Sequence, residues 1–121
     1  MTEARKRVYT TPAGVQLCSL DAIGVEGARN FVLQIGDAFF HGFVVRRGDE
    51  VFGYVDQCPH QGLPLARKLD DYLTPDKTLV NCAWHGALFR VEDGMCVGGP
   101  CAGARLSPWP VRVANGIVET A

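Results

Sequence analysis

The chain has little of what marks membrane, secreted or nucleic-acid-binding proteins. Its 12 Lys and Arg nearly balance 13 Asp and Glu, for a net charge of -1, so charge provides no basis for binding nucleic acid. The N-terminus, Met1 to Arg5, is polar and leads into no apolar run. We therefore expect no secretory signal, no membrane anchor and a cytoplasmic location. The short basic cluster at residues 5–7 is expected to be a solvated tail.

A closed disulfide framework is also missing, because the chain has five cysteines, an odd number. In a reducing cytosol, thiols serve as ligands or as small buried apolar groups. We expect Cys18, Cys96 and Cys101 to be buried apolar groups of this kind. A disulfide between Cys96 and Cys101 is the disfavoured alternative.

No amphipathic helix, heptad or internal repeat is present, and short runs rich in Val, Ile, Phe and Leu lie between turn residues instead. Such runs predict an all-β fold. The segment from Phe31 to Asp56 predicts a three-stranded antiparallel meander. For Leu65 to Tyr72 the sequence is compatible with either a short helix or an irregular loop. We expect one domain over residues 1–121. The expected strands cover residues 15–20, 31–35, 39–46, 51–56, 79–82, 88–91, 96–97, 111–113 and 117–119.

Two short stretches carry the metal chemistry of the chain, Cys58-Pro59-His60 and Cys82-Ala83-Trp84-His85. Each offers one sulfur and one nitrogen ligand, and such sets bind zinc or iron-sulfur centres rather than magnesium or calcium. A structural zinc module of the Cys2His2 type is the weaker alternative. Cys-x-His is an unusual half of a zinc finger, and no recognition helix follows.

The same stretches resemble the ligand boxes of the Rieske iron-sulfur family. The resemblance rests on Cys58–Gly62, Cys82–Gly86 and the later Gly98-Gly99-Pro100, and it implies an antiparallel β-sandwich with a cluster-binding subdomain at about residues 57–103. Gly62, Gly86, Gly98 and Gly99 either let the backbone come close to the cluster or are ordinary turn glycines, and the sequence leaves both possibilities open. The spacer between the boxes is longer than is usual in the family, with residues 67–72 and 74–77 as the expected extra loop.

The resemblance also implies the cofactor and its ligands. In Rieske proteins two cysteines bind one iron of a 2Fe-2S cluster and two histidines bind the other. By position, Cys58 and Cys82 would hold the inner iron and His60 and His85 the outer one, with one cluster per chain. His41, the third histidine, is expected to be structural.

The function that the resemblance implies is that of a Rieske-type ferredoxin. Such a protein is a soluble, monomeric one-electron carrier between a reductase and a terminal oxygenase of a bacterial ring-hydroxylating dioxygenase system, and it is not itself an enzyme. An oxygenase needs a second iron held by two histidines and a carboxylate, and only His41 remains. The alternative is a small subunit or regulatory module of a larger oxidoreductase, similar to the nitrite reductase small subunit. Asp70, Asp71 and Asp76 are expected to lie in a solvated loop, with steering of a basic partner as the alternative.

We predict a reduction potential in the lower part of the Rieske range, which spans ~-150 to +300 mV. High-potential respiratory members have a loop disulfide at the positions of Leu63 and Trp84, and hydroxyl donors at the positions of Ala87 and Phe89. None of these four residues can supply those groups, and the reduced cluster therefore lacks that stabilisation. A redox titration checks this prediction, and a potential near the upper end of the range would contradict it.

Overall fold

The fold is all-β, as predicted, in a computed structural model that describes residues 6–57, 65–66, 69–83, 86–99 and 103–121. Within these ranges, one 3₁₀ turn spans Leu20–Ala22. Among the described residues, no helix is long and apolar enough to cross a membrane. The strands are β1 Lys6–Val8, β2 Gln16–Ser19, β3 Ala28–Ile35, β4 Ala38–Arg47, β5 Glu50–Val55, β6 Leu79–Asn81, β7 Leu88–Arg90, β8 Cys96–Gly98, β9 Val111–Ala114 and β10 Ile117–Thr120.

The first sheet contains the predicted meander of β3, β4 and β5, paired antiparallel. Its two hairpins turn at Gly36 and Gly48, whose φ angles of 63° and 60° are left-handed. Glycine adopts this conformation without the steric cost that a Cβ would bring. The turn residues therefore indicated the connections of this sheet correctly.

The first sheet also has a fourth strand that sequence analysis missed. β1 pairs parallel to Ala38–Phe40 of β4, and Arg7 Nη2 donates a hydrogen bond to the carbonyl of Asp56 at 2.9 Å. The expectation of a solvated basic tail is therefore wrong for residues 6 and 7, while residue 5 lies outside the described part. β5 pairs only with residues 42–47 of β4, and the edge that this leaves open accepts β1.

Two smaller sheets complete the sandwich, with strand orders β2-β10-β9 and β6-β7-β8. The predicted C-terminal hairpin joins β9 to β10 through Asn115 and Gly116, with φ angles of 51° and 74°. Two successive positive φ angles match the type I′ turn that fits the twist of hairpin strands. The β6-β7-β8 sheet carries the second predicted ligand box at the end of β6.

Strand β4 is buried on both faces and separates two apolar cores. Phe40 and Val44 face the core shared with the β2-β10-β9 sheet, which also holds Trp109. Phe43 and Val45 face the core shared with the β6-β7-β8 sheet. Alternate residues of one strand thus hold both halves of the molecule together.

Gly53 provides a test of how tightly β5 packs against the segment before β9. A Cβ at Gly53 would collide with the carbonyl oxygen of Trp109 and lie 3.0 Å from Val111 Cγ2. We expect Gly53→Ala to lower the free energy of unfolding by about 1–3 kcal/mol, the usual cost of overpacking. Urea unfolding measures this change.

Gly24→Ala is the matched control, because a Cβ there has nothing within 4 Å. It should leave stability unchanged or raise it slightly, by restricting the unfolded chain. Equal stabilities for the two variants would contradict the packing described at Gly53.

Candidate metal centre

Of the four predicted ligands, Cys82 lies in the described part of the chain, and Cys58, His60 and His85 lie outside it. Cys82 directly follows β6 and is 0% exposed, within the apolar core that includes Ala87 and Phe89. Within the described ranges, no group of three or more His, Cys, Asp or Glu side chains is placed to hold a metal ion. The described part of the site consists of Cys82, Ala83 and the segments that flank the boxes.

The loop that carries the second box is a tight connection between β6 and β7. The Cys82 N–H donates to the carbonyl of Ala87 at 2.8 Å, and the Gly86 N–H donates to the carbonyl of Cys82 at 2.9 Å. Gly86 has a φ of 69°, which a glycine adopts readily. These bonds hold the backbone of Cys82 in one conformation.

A second loop packs directly against this connection at Gly99. The φ of Gly99 is 85°, and a Cβ there would lie 2.8 Å from Ala87 Cα and 3.0 Å from the carbonyl oxygen of Gly86. A side chain would force the two backbones apart, so Gly99 is needed for their close approach. At Gly98 a Cβ would make only ordinary contact, 3.5 Å from Leu88 Cδ1, and Gly62 lies outside the described residues.

Asp56 and Leu65, which lie before and after the first box in sequence, are joined by a hydrogen bond. Asp56, two positions before Cys58, is only 6% exposed, and its Oδ1 accepts a hydrogen bond from the Leu65 N–H at 2.9 Å. The Leu65 carbonyl in turn accepts from the Ala83 N–H at 2.8 Å, next to Cys82. The segments flanking the two boxes are thereby joined.

Sequence analysis missed Asp56. The available signal was an acidic residue at the end of an apolar strand, two positions before a predicted ligand, where a buried carboxylate requires donors. The other carboxylate oxygen, Oδ2, accepts from Tyr72 Oη at 2.9 Å and from Asn30 Nδ2 at 3.3 Å. Burial, followed by the negative charge of Asp56, raises the pKa of Tyr72, which keeps that hydroxyl protonated as a donor.

The spacer between the boxes is tied to the sandwich. Its described residues at 65, 66 and 69–72 form bends and turns rather than a helix, which settles the open alternative for the part that the structure describes. Asp70, Asp71 and Asp76 are exposed, as expected. Asp70 Oδ1 nevertheless accepts from the Asn30 N–H at 2.7 Å.

Asp76 organises a local turn in the same spacer. Its Oδ1 accepts hydrogen bonds from the hydroxyls of Thr74 and Thr78 at 2.6 and 2.8 Å. These bonds to the ionised form lower the pKa of Asp76. Two of the three spacer carboxylates thus have structural partners, and the sequence pattern indicated neither.

The remaining cysteines correct one expectation. Cys96 is buried, but it is disulfide-bonded rather than a simple apolar thiol. Cys18 is a partly buried free thiol whose pKa is raised by burial, and Cys101 lies outside the described residues. A disulfide needs two Cβ atoms roughly 3.5–4.5 Å apart, and local sequence does not reveal that proximity.

The described residues fit an iron-sulfur cofactor. Cys82 is not part of a disulfide, and it is fully buried in an apolar cluster at the end of β6. Bound metal deprotonates such a thiol and makes it a soft ligand. Gly99 lets its backbone lie directly against Gly86 and Ala87, which keeps the adjacent loops close together.

Comparison with known families agrees with this donor chemistry. The family model described as the Rieske [2Fe-2S] domain matches residues 16–115. Among curated proteins, the terminal oxygenase component of carbazole 1,9a-dioxygenase from a Sphingomonas species is 31% identical over 80 residues. That match covers 60% of this chain and 20% of the oxygenase, so the chain spans about a fifth of the length of this relative.

Solved structures share the fold over most of the chain. A chain in the complex of reduced oxygenase and oxidised ferredoxin of carbazole 1,9a-dioxygenase is 27% identical, with a TM-score of 0.68, and the match covers 88% of this chain and 100% of that one. The carbazole 1,9a-dioxygenase ferredoxin from Nocardioides aromaticivorans IC177 has a TM-score of 0.69 at 20% identity, covering 91% and 98%. A ferredoxin from Sphingomonas yanoikuyae B1 has a TM-score of 0.64 at 21% identity, covering 88% and 95%.

His41, the histidine outside both boxes, lies on β4 close to the first box. Its carbonyl accepts a hydrogen bond from the Asp56 N–H at 3.0 Å. Burial lowers the pKa of the His41 imidazole, the positive charge of Arg7 lowers it further, and Asp56 partly opposes both effects. The neutral imidazole is therefore the form that the fold favours.

This pKa shift predicts a pH dependence of stability. Because the pKa of folded His41 lies below its unfolded value of about 6.5, the unfolded chain binds more protons, and stability falls as the pH drops from about 6.5 through the folded pKa. We expect His41→Gln to lose less stability than the parent over that window. Thermal unfolding at several pH values checks this, and equal losses in the two proteins would contradict it.

Proposed function

Because the chain belongs to the Rieske [2Fe-2S] domain family, we propose that it is a one-electron carrier of the ferredoxin type. It would accept an electron from a reductase and pass it to a terminal oxygenase or a similar acceptor. The observation that carries this proposal is the 27% identical match, over 88% of this chain and 100% of the other, with a chain of the carbazole dioxygenase oxygenase and ferredoxin complex. The cofactor of the family is the Rieske-type 2Fe-2S cluster, which gains and loses one electron.

We assign Cys58 and Cys82 to one iron and His60 and His85 to the other. The assignment is supported by the buried position of Cys82 and by the hydrogen bonds that join the segments flanking the two boxes. With this ligand set the charged thiolates would hold the inner iron and the neutral imidazoles the outer one, so that the outer iron would be the favoured site of an added electron. Partners would then exchange electrons near His60 and His85 through a small, transient interface.

Two further proposals concern the extent and role of the chain. The family match over residues 16–115 supports a single domain spanning residues 1–121. The carrier would bind no organic substrate, because the three histidines of the sequence leave only His41 for a mononuclear iron once the cluster ligands are assigned. The cytoplasmic location remains a prediction from the sequence.

The alternative within the same family is a subunit or module of a larger oxidoreductase. The terminal oxygenase component from Sphingomonas is a longer protein, and the aligned region makes up 20% of it. A free carrier should purify as a stable monomer that is reduced and reoxidised reversibly, whereas a subunit should require its partner for stability. The family match argues against the alternative of a structural zinc module, because the matching family is a 2Fe-2S domain.

The ligand assignment predicts the outcome of metal analysis and EPR. Protein purified anaerobically should contain about two irons per chain, and reduction with dithionite should give a signal averaging below the free-electron value. His60→Ala and His85→Ala should each abolish that signal, because each removes a ligand of the outer iron. Low-temperature EPR with iron and zinc analysis measures these outcomes.

His41→Ala is the control for this experiment and should keep both the iron and the signal. A His60 or His85 variant with the parent's spectrum would refute the assignment. Zinc in place of iron, with no colour and no EPR signal, would refute the electron-carrier function.

A further inference from the structure

We propose that Asp56 and Tyr72 together position the first ligand box for the cluster. In this proposal Asp56 closes the segment that carries Cys58 and His60, and Tyr72 holds the Asp56 carboxylate in the orientation that closes it. Both act as positioning residues, since neither is a proposed ligand. The inference rests on the ligand assignment proposed above.

The two oxygens of the Asp56 carboxylate accept hydrogen bonds from different parts of the chain. Oδ1 accepts from the Leu65 N–H at 2.9 Å and so joins the residues immediately before and after segment 57–64. Oδ2 accepts from Tyr72 Oη at 2.9 Å and from Asn30 Nδ2 at 3.3 Å. Since rotation of the carboxylate would break the bonds to both oxygens, the donors on Oδ2 determine where Oδ1 lies.

The hydroxyl of Tyr72 is itself held in place from several sides. Its ring stacks on Phe43 of β4, with centroids 4.2 Å apart and an interplanar angle of 8°. Its hydroxyl accepts from Asn30 Nδ2 at 2.6 Å, and its carbonyl accepts from the Asn81 N–H at 2.8 Å. The position of the Asp56 carboxylate is therefore set by β3, β4 and β6 together.

The same network reaches the second box. The N–H of Leu65 is bound by Asp56, and the carbonyl of Leu65 accepts a hydrogen bond from the Ala83 N–H at 2.8 Å. Ala83 directly follows Cys82. A shift of Leu65 would thus disturb both Asp56, two residues before Cys58, and Ala83, next to Cys82. This connection is why we assign the Asp56 and Tyr72 pair a role in holding the cluster beyond its contribution to the stability of the fold.

Tyr72→Phe tests the proposal, because it removes the hydroxyl and leaves the ring on Phe43. Tyr54→Phe is the matched control. Tyr54 is buried in the same core, its ring centroid is 5.8 Å from that of Phe43, and its hydroxyl donates to the carbonyl of Val91, outside both boxes. Both variants lose one buried tyrosine hydroxyl, but only Tyr72→Phe loses a bond to the Asp56 carboxylate.

The measurement is the rate at which anaerobically purified, dithionite-reduced holoprotein releases iron to the chelator ferrozine, together with the EPR and visible circular dichroism spectra. We expect Tyr72→Phe to release iron about tenfold faster than the parent, the factor expected for loss of one charge-assisted hydrogen bond, with altered spectra. Tyr54→Phe should release iron at nearly the parent rate with unchanged spectra, although both variants unfold at a lower temperature.

Equal release rates and unchanged spectra for the two variants would overturn the positioning role while leaving the ligand assignment intact. Asp56→Asn provides a second test. It places an amide N–H where a carboxylate oxygen now accepts from Asn30 Nδ2, so that two donors would face each other. It should release iron faster than Tyr72→Phe or fail to retain the cluster. Retention at the parent rate would overturn the proposal, and an iron-free parent protein would overturn both the proposal and the function on which it rests.

Discussion

The buried carboxylate of Asp56 is the constraint on which the candidate metal centre depends. A carboxylate that is 6% exposed is costly to bury unless donors surround it. Its donors come from Leu65, Tyr72 and Asn30, which are 9, 16 and 26 residues away in sequence. The hydrogen bonds to this carboxylate therefore bring together β3, the residue that follows β5, and two residues of the spacer.

Strand β4 provides the rigid support for this arrangement. Its alternate residues enter two separate cores, so that a displacement of the strand would disturb the packing on both faces. Phe43 of β4 lies in the same core as Cys82 and stacks on Tyr72. Cys82, the proposed ligand that the structure describes, thus shares a core with the most thoroughly buried of the described strands.

Sequence analysis predicted the elements that depend on local signals. The meander, the turns at Gly36 and Gly48 and the C-terminal hairpin at Gly116 were all confirmed, because alternation and turn residues act over a few positions. The same reasoning missed β1, whose partner Ala38–Phe40 is some thirty residues away. It also treated Cys96 as a thiol, whereas the structure has it in a disulfide.

By itself the sequence determined the all-β class, the family and the chemistry of the proposed ligands, since these follow from residue types at short spacings. Only the tertiary structure decided that β1 joins the first sheet, that Gly99 packs against Gly86 and Ala87, and that Asp56, Leu65 and Ala83 are joined by hydrogen bonds. The physical reason is that these contacts join distant segments. Their partners are selected by burial and hydrogen bonding after the chain has folded, and no local pattern records that choice.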